Sequence, residues 1–223
     1  MTFSLVARCD RTGQFGIAIS SSSPAVAARC GHVRAGTGAV ASQNVTDPAL
    51  GPILLDLMAA GHSAPQALAA LQGTPFLEYR QLLAVDPSGL AAVHSGTRAL
   101  GLWSHATGPG VAAGGNLLAD ASVPRVLVDA FLSTGGPLGD RLMAALQAGL
   151  AAGGEAGPVH SAGLKIADRL SWPLVDLRVD WTQSCPIAAL AEAWQVYRPQ
   201  MDAYVARAEN PSAAPSYGVP GDE

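Results

Sequence analysis

The sequence predicts an α+β protein folded as a four-layer αββα sandwich, two antiparallel sheets held between helix pairs. Three observations predict it. Hydrophobic spacing switches from period 2 to the helical period at Pro48 and back to period 2 near Tyr79. Helical stretches come in adjacent pairs, and strands joined by Gly, Pro or Asp turns flank each pair. Apolar residues make up 49% of the 223 positions, enough for the core of a single domain. That domain spans residues 1–210, and a Pro/Gly/Ser-rich tail follows at 211–223.

The opening "MTFSLVARCD" reads as a strand with Thr2, Ser4, Val6 and Arg8 on one face and Phe3, Leu5, Ala7 and Cys9 on the other, one of them buried. A "DRTG" turn leads into "QFGIAISSSS", which should pair with it as a hairpin. "RAGTGAVASQN" is the third strand. Leu50, Ile53, Leu54, Leu57 and Met58 then form a helical stripe closed by Gly61. Ser63 caps the next helix, with Gln66 three residues on as in a capping box.

From Tyr79 to Ala113 the segments "RQLLAVD", "LAAVHSG", "ALGLWSH" and "VAAGGN" read as an antiparallel meander. A second helix pair follows, one helix on Val126, Leu127, Ala130 and Phe131, the other on Leu138, Leu142, Ala145, Leu146 and Gly149. "SAGLKIAD" and "PLVDLRVD" are the last strands, and a helix from about Ile187 to Ala208 precedes the tail.

Composition excludes several functions. Net charge is −4, and Lys165 is the one lysine among 13 basic side chains that never run together, which argues against a nucleic-acid partner. The longest uncharged stretch, Ala99 to Ala119, is too rich in glycine for a membrane helix, so no membrane partner is expected. The N-terminus lacks the basic and apolar regions of an export signal, and Cys9, Cys30 and Cys185 suggest neither a disulfide framework nor a zinc site. A cytoplasmic protein without a metal or other cofactor is expected. The Ala/Leu-rich helix faces predict a homodimer.

Short stretches over the whole chain carry a resemblance: "MTFSLVA", "RAGTGAVASQ", the "GP..LDLM..G" helix, "GGNLLA", "PLGDRL", "HSAGL", "PLVDLRVD" and "YVARAENPSAAPSYGVPGD". On these the chain resembles the DUF1028 family, a group of unknown function assigned to the Ntn-hydrolase (N-terminal nucleophile) superfamily. The resemblance implies an Ntn-like sandwich and gives the opening threonine a role. In Ntn hydrolases a Thr, Ser or Cys becomes the first residue and attacks an amide carbonyl, while its own α-amine serves as general base. Removal of Met1 would expose Thr2 in this way.

By analogy with proteasome-like members, a basic side chain entering the third strand lowers the nucleophile's proton affinity. His32 and Arg34 stand there, and Arg34 carries the permanent charge. The oxyanion falls to backbone N–H groups near Gln43 and Asn44. Asn116 in "GGNLLA" supplies an amide near the nucleophile, and Ser161 in "HSAG" a hydroxyl with Glu155 or His160 beside it. The family often carries Asp and Arg where this chain has Glu155 and Gly157.

The implied enzyme is a small-molecule amide hydrolase with Thr2, Arg34 and Asn116 as catalytic residues and His32, Gln43, Asn44, Glu155 and Ser161 around the substrate. The alternative is a non-catalytic small-molecule binding or scaffold protein of the same fold. The Thr2 side chain is expected to lie within roughly 10 Å of those of Arg34 and of Asn116, the span of one ligand. An Arg34 at the opposite end of the sheet, or a Thr2 sunk in core packing, would end that catalytic reading. "SSSSP" reads as a hydrogen-bonded turn. The histidines show no metal-binding spacing.

Overall fold

The computed structural model describes residues 1–220, so the last three residues of the expected tail lie outside the described residues. The chain is a mixed α+β protein with two antiparallel sheets. The strands are β1 (Thr2–Arg8), β2 (Phe15–Ser21), β3 (Gly31–Arg34), β4 (Gly38–Asn44), β5 (Arg80–Val85), β6 (Ala91–Ser95), β7 (Ser104–Gly108), β8 (Val111–Asn116), β9 (Ser161–Ala167) and β10 (Val175–Val179). The helices are α1 (Val26–Cys30), α2 (Leu50–Ala59), α3 (Ala64–Ala70), α4 (Val123–Ser133), α5 (Leu138–Ala151), α6 (Pro186–Tyr197) and α7 (Met201–Glu209).

One sheet has the order β10-β9-β2-β1-β8-β7 and the other β3-β4-β5-β6. The segment read as one meander therefore divides: β5 and β6 belong to the second sheet, and β7 and β8 cross to the first. The segment read as a third strand also divides. Gly36, at φ 64, turns the chain back, so Arg34 ends β3 opposite Gly38 of β4. The last helix breaks into α6 and α7 around a 3₁₀ turn at Arg198–Gln200, where Pro199 withholds a backbone donor.

Apolar side chains gather in three clusters. Phe3, Leu5, Leu127, Phe131, Leu146 and Trp194 join the first sheet to α4, α5 and α6. Val6, Ile17, Ile19, Ala41, Leu83 and Val85 lie between sheets. Val40, Leu54, Met58, Leu68 and Leu82 join the second sheet to α2 and α3. Strand β1 has both faces buried rather than one, since its odd residues meet the helices and its even residues meet the other sheet. The apolar inter-sheet cluster gives way to polar side chains at the end where β1 begins.

Candidate functional site

Alternation along β1 points Thr2 and Ser4 toward the second sheet. Thr2 lies directly opposite Asn116 in the β1–β8 ladder, a cross-strand pair whose Cβ atoms sit about 5 Å apart. Thr2 is 5% exposed and Asn116 fully buried. Below them runs an amide network. Ser4 Oγ donates to Gln43 Oε1 at 2.6 Å, and Gln43 Nε2 donates to Gln81 Oε1 at 2.8 Å and to the Gly114 carbonyl at 3.2 Å. Gln81 Nε2 reaches Ser95 Oγ at 3.1 Å, and Asn116 Nδ2 reaches Gln81 Oε1 at 3.4 Å. Asn116 Oδ1 is buried without a partner.

Above the network, Thr2 Oγ1 and Ser21 Oγ both donate to the carbonyl oxygen of Met1. The two hydroxyls stand 3.4 Å apart, and Ser21 Oγ also accepts from Ser23 N at 3.1 Å. Glu155, 5% exposed, accepts from Ser22 N at 3.2 Å with each carboxylate oxygen. Burial pushes its carboxyl up to about 7, against the pull of the chain's N-terminal ammonium and the Ser22 hydrogen bonds. Glu155 thus brings a buried carboxyl, held by the Ser22 backbone, to the end of β2, one residue past Ser21.

Ser161 braces this arrangement. Its Oγ donates to the Ser23 carbonyl at 2.6 Å and accepts from Val26 N at 3.3 Å, while its carbonyl accepts from Ser20 Oγ at 3.0 Å. His160 ties in the next loop, with Nδ1 2.8 Å from the Thr182 carbonyl and its ring stacked on Trp181 at 4.5 Å.

Arg34 does not join the cluster. It pairs with Asp56 of α2 at 2.8 Å. Its register partner Gly38 is five residues along β4 from Gln43, roughly 17 Å at the rise of a strand, and Thr2 lies beyond Ser4. The catalytic trio with Arg34 therefore fails. Period-2 alternation is the cause: Gly31 and Val33 face the inter-sheet core, so His32 and Arg34 face α2. The His32 ring lies on Gly51, its Nε2 has no partner, and burial, aided by Lys165, lowers its pKa.

The Gln43–Asn44 segment ends strand β4 ahead of α2, and the Gln43 side chain works in the network. Asn44 holds φ 76 and closes the turn, donating through Nδ2 to the Tyr79 carbonyl and accepting from Leu100 N at 3.2 Å. Ser4, Ser21 and Gln81 are the site residues missed in the sequence. "SSSSP" held the clue for Ser21, which ends β2, accepts from Ser23 N and donates into the site. Among the described residues no group of three His, Cys, Asp or Glu side chains could hold a metal ion.

Fold and site together define a mixed α+β protein with a hydroxyl, amide and carboxyl cluster at the head of its first strand. The chain belongs to the family of unknown function DUF1028, whose model matches residues 2–190. The crystal structure of protein SPO2555 from Silicibacter pomeroyi, of the same family, is 29% identical with a TM-score of 0.81 over 88% of each chain. Anbu, the ancestral β-subunit from Yersinia bercovieri, is 11% identical with a TM-score of 0.37 over 91% of this chain and 97% of its own. No protein with a curated description matches the chain. No helix of the described residues is long and apolar enough to cross a membrane.

Proposed function

We propose that this chain is a cytoplasmic N-terminal-nucleophile hydrolase of small amides, on an Ntn-type αββα sandwich, active once the peptide bond before Thr2 is cut. The three stacked apolar clusters support the sandwich. The observation that carries the reading is the convergence of Thr2 Oγ1 and Ser21 Oγ on one carbonyl oxygen, that of the bond preceding Thr2.

In the Thr2-first protein, Thr2 Oγ1 attacks the amide carbon and its proton passes to the α-amine. Ser21 Oγ donates to the resulting oxyanion, as it does to the Met1 carbonyl. Asn116 offers its unpartnered Oδ1 to the ammonium so formed. Collapse breaks the C–N bond, the leaving amine takes the ammonium's proton, and the acyl group stays on Thr2 as an ester. Water then attacks the ester, gives a proton to the α-amine, and releases the acid and the Thr2 hydroxyl. Glu155, whose carboxyl burial raises, sets the charge around the amine where no arginine stands.

One observation favours a binding protein instead. Among the described residues no Lys, Arg or His side chain bonds to Thr2, Ser21 or Glu155. An amide panel separates the two readings. Thr2-first protein should turn over at least one member, and Thr2→Ala, keeping the amine and the fold, should lose that turnover about a thousandfold or more. Equal rates, or an intact mass that always retains Met1 even at low expression, would overturn catalysis by the N-terminal amine.

A further inference from the structure

Met1 occupies the site as the acyl part of a substrate would. Transfer of the Met1 acyl group from Thr2 N to Thr2 Oγ1 yields the same ester that a methionyl amide would leave on Thr2. The surroundings of Met1 therefore mark the acyl subsite. Its carbonyl is held by Thr2 and Ser21, and its side chain lies over Gly157, where an added Cβ would stand 3.5 Å from Met1 Cε and 4.0 Å from Sδ. Gly157 is one wall of a groove of about 370 Å³ that also exposes Leu150, Pro158, Val159, Gln183 and the Glu155 carboxyl. Among the described residues no lysine, arginine or histidine lines it.

We propose that this groove is the acyl-side specificity pocket and takes amides whose acyl part bears an unbranched, uncharged side chain of about methionine length. The inference rests on the Thr2 reading. The apolar walls favour the aliphatic chain, and Glu155, with no lysine, arginine or histidine among the lining residues, disfavours an acidic one. A bare Cβ at Gly157 would only touch the end of the chain, 3.5 Å from Met1 Cε, so the bulkier valine is the change that narrows the groove.

The test is calorimetric binding to Thr2→Ala protein that begins at residue 2 and cannot turn over. Methioninamide and norleucinamide should bind within about threefold of each other, and the α-amide of glutamic acid about tenfold or more weaker. Gly157→Val should weaken methioninamide about tenfold while leaving alaninamide unchanged. The same ranking should appear for these compounds as inhibitors of the Thr2-first protein, which covers the case of an alanine variant that fails to fold. An acidic ligand bound as tightly, no methioninamide binding, or indifference to Gly157→Val would overturn the subsite. Binding as expected with no turnover by Thr2-first protein would sink the hydrolase reading and leave the subsite standing.

Discussion

Glu155 carries the clearest single-residue consequence. Its folded pKa, about 7, lies above the 4.5 of an unperturbed glutamate, so the native state holds the proton more tightly. The stability this contributes is fully present below 4.5 and is lost as pH rises through 7. Thermal melts from pH 4 to pH 8 should show a decline that Glu155→Gln removes; parallel curves for the two proteins would refute it. Gln81 is the second test. Gln81→Leu removes partners from the Gly115 and Ser104 carbonyls and from Gln43, and should cost about 1–3 kcal/mol by urea denaturation. Thr2 and Asn116 were legible through the family resemblance, and the β1–β8 ladder sets them opposite each other. Gln43 and Gln81 met only through the pairing of β4 with β5 across from β1, a long-range contact that no local pattern encodes.

At the scale of the element, β3 shows where local patterning stops. "RAGTG" supports either one strand or a hairpin, and only the left-handed Gly36 decides for the hairpin and sends Arg34 to the far end. The helix pairs and their order were readable from period alone, because 3.6-residue stripes persist over two or more turns. Five-residue α1 was not, being too short for periodicity to register. The contact of β3 with α2 gives a test. A Cβ on Gly51 would stand 2.1 Å from His32 Cδ2, so Gly51→Ala should destabilise by about 1–3 kcal/mol. His32→Ala in the same chain should restore part of that loss, and strict additivity of the two changes would refute the direct contact.

Across the whole molecule, exposed apolar residues such as Phe76, Val196 and Trp181 leave surface that a second copy would cover. We propose a homodimer, and light scattering that returns the 22.6 kDa of one chain at micromolar concentration would refute it. The tail is less loose than its composition suggests. Arg207 donates to the carbonyl of Pro215 at 2.9 Å and stacks on Tyr217 at 3.7 Å, which folds residues after 210 back on α7.

Sheet order also sets a clock during synthesis. Strand β1 sits between β2 and β8, and β8 begins about 110 residues after it. A ribosome adding 5–20 residues per second needs roughly 5–20 s to deliver that neighbour. Throughout the interval Thr2 stands without its β8 partner. Once β8 docks, Asn116 faces Thr2 beside the carbonyl that Thr2 and Ser21 hold. On the proposed cleavage before Thr2, a slower ribosome lengthens the interval in which that bond lacks its β8 neighbour.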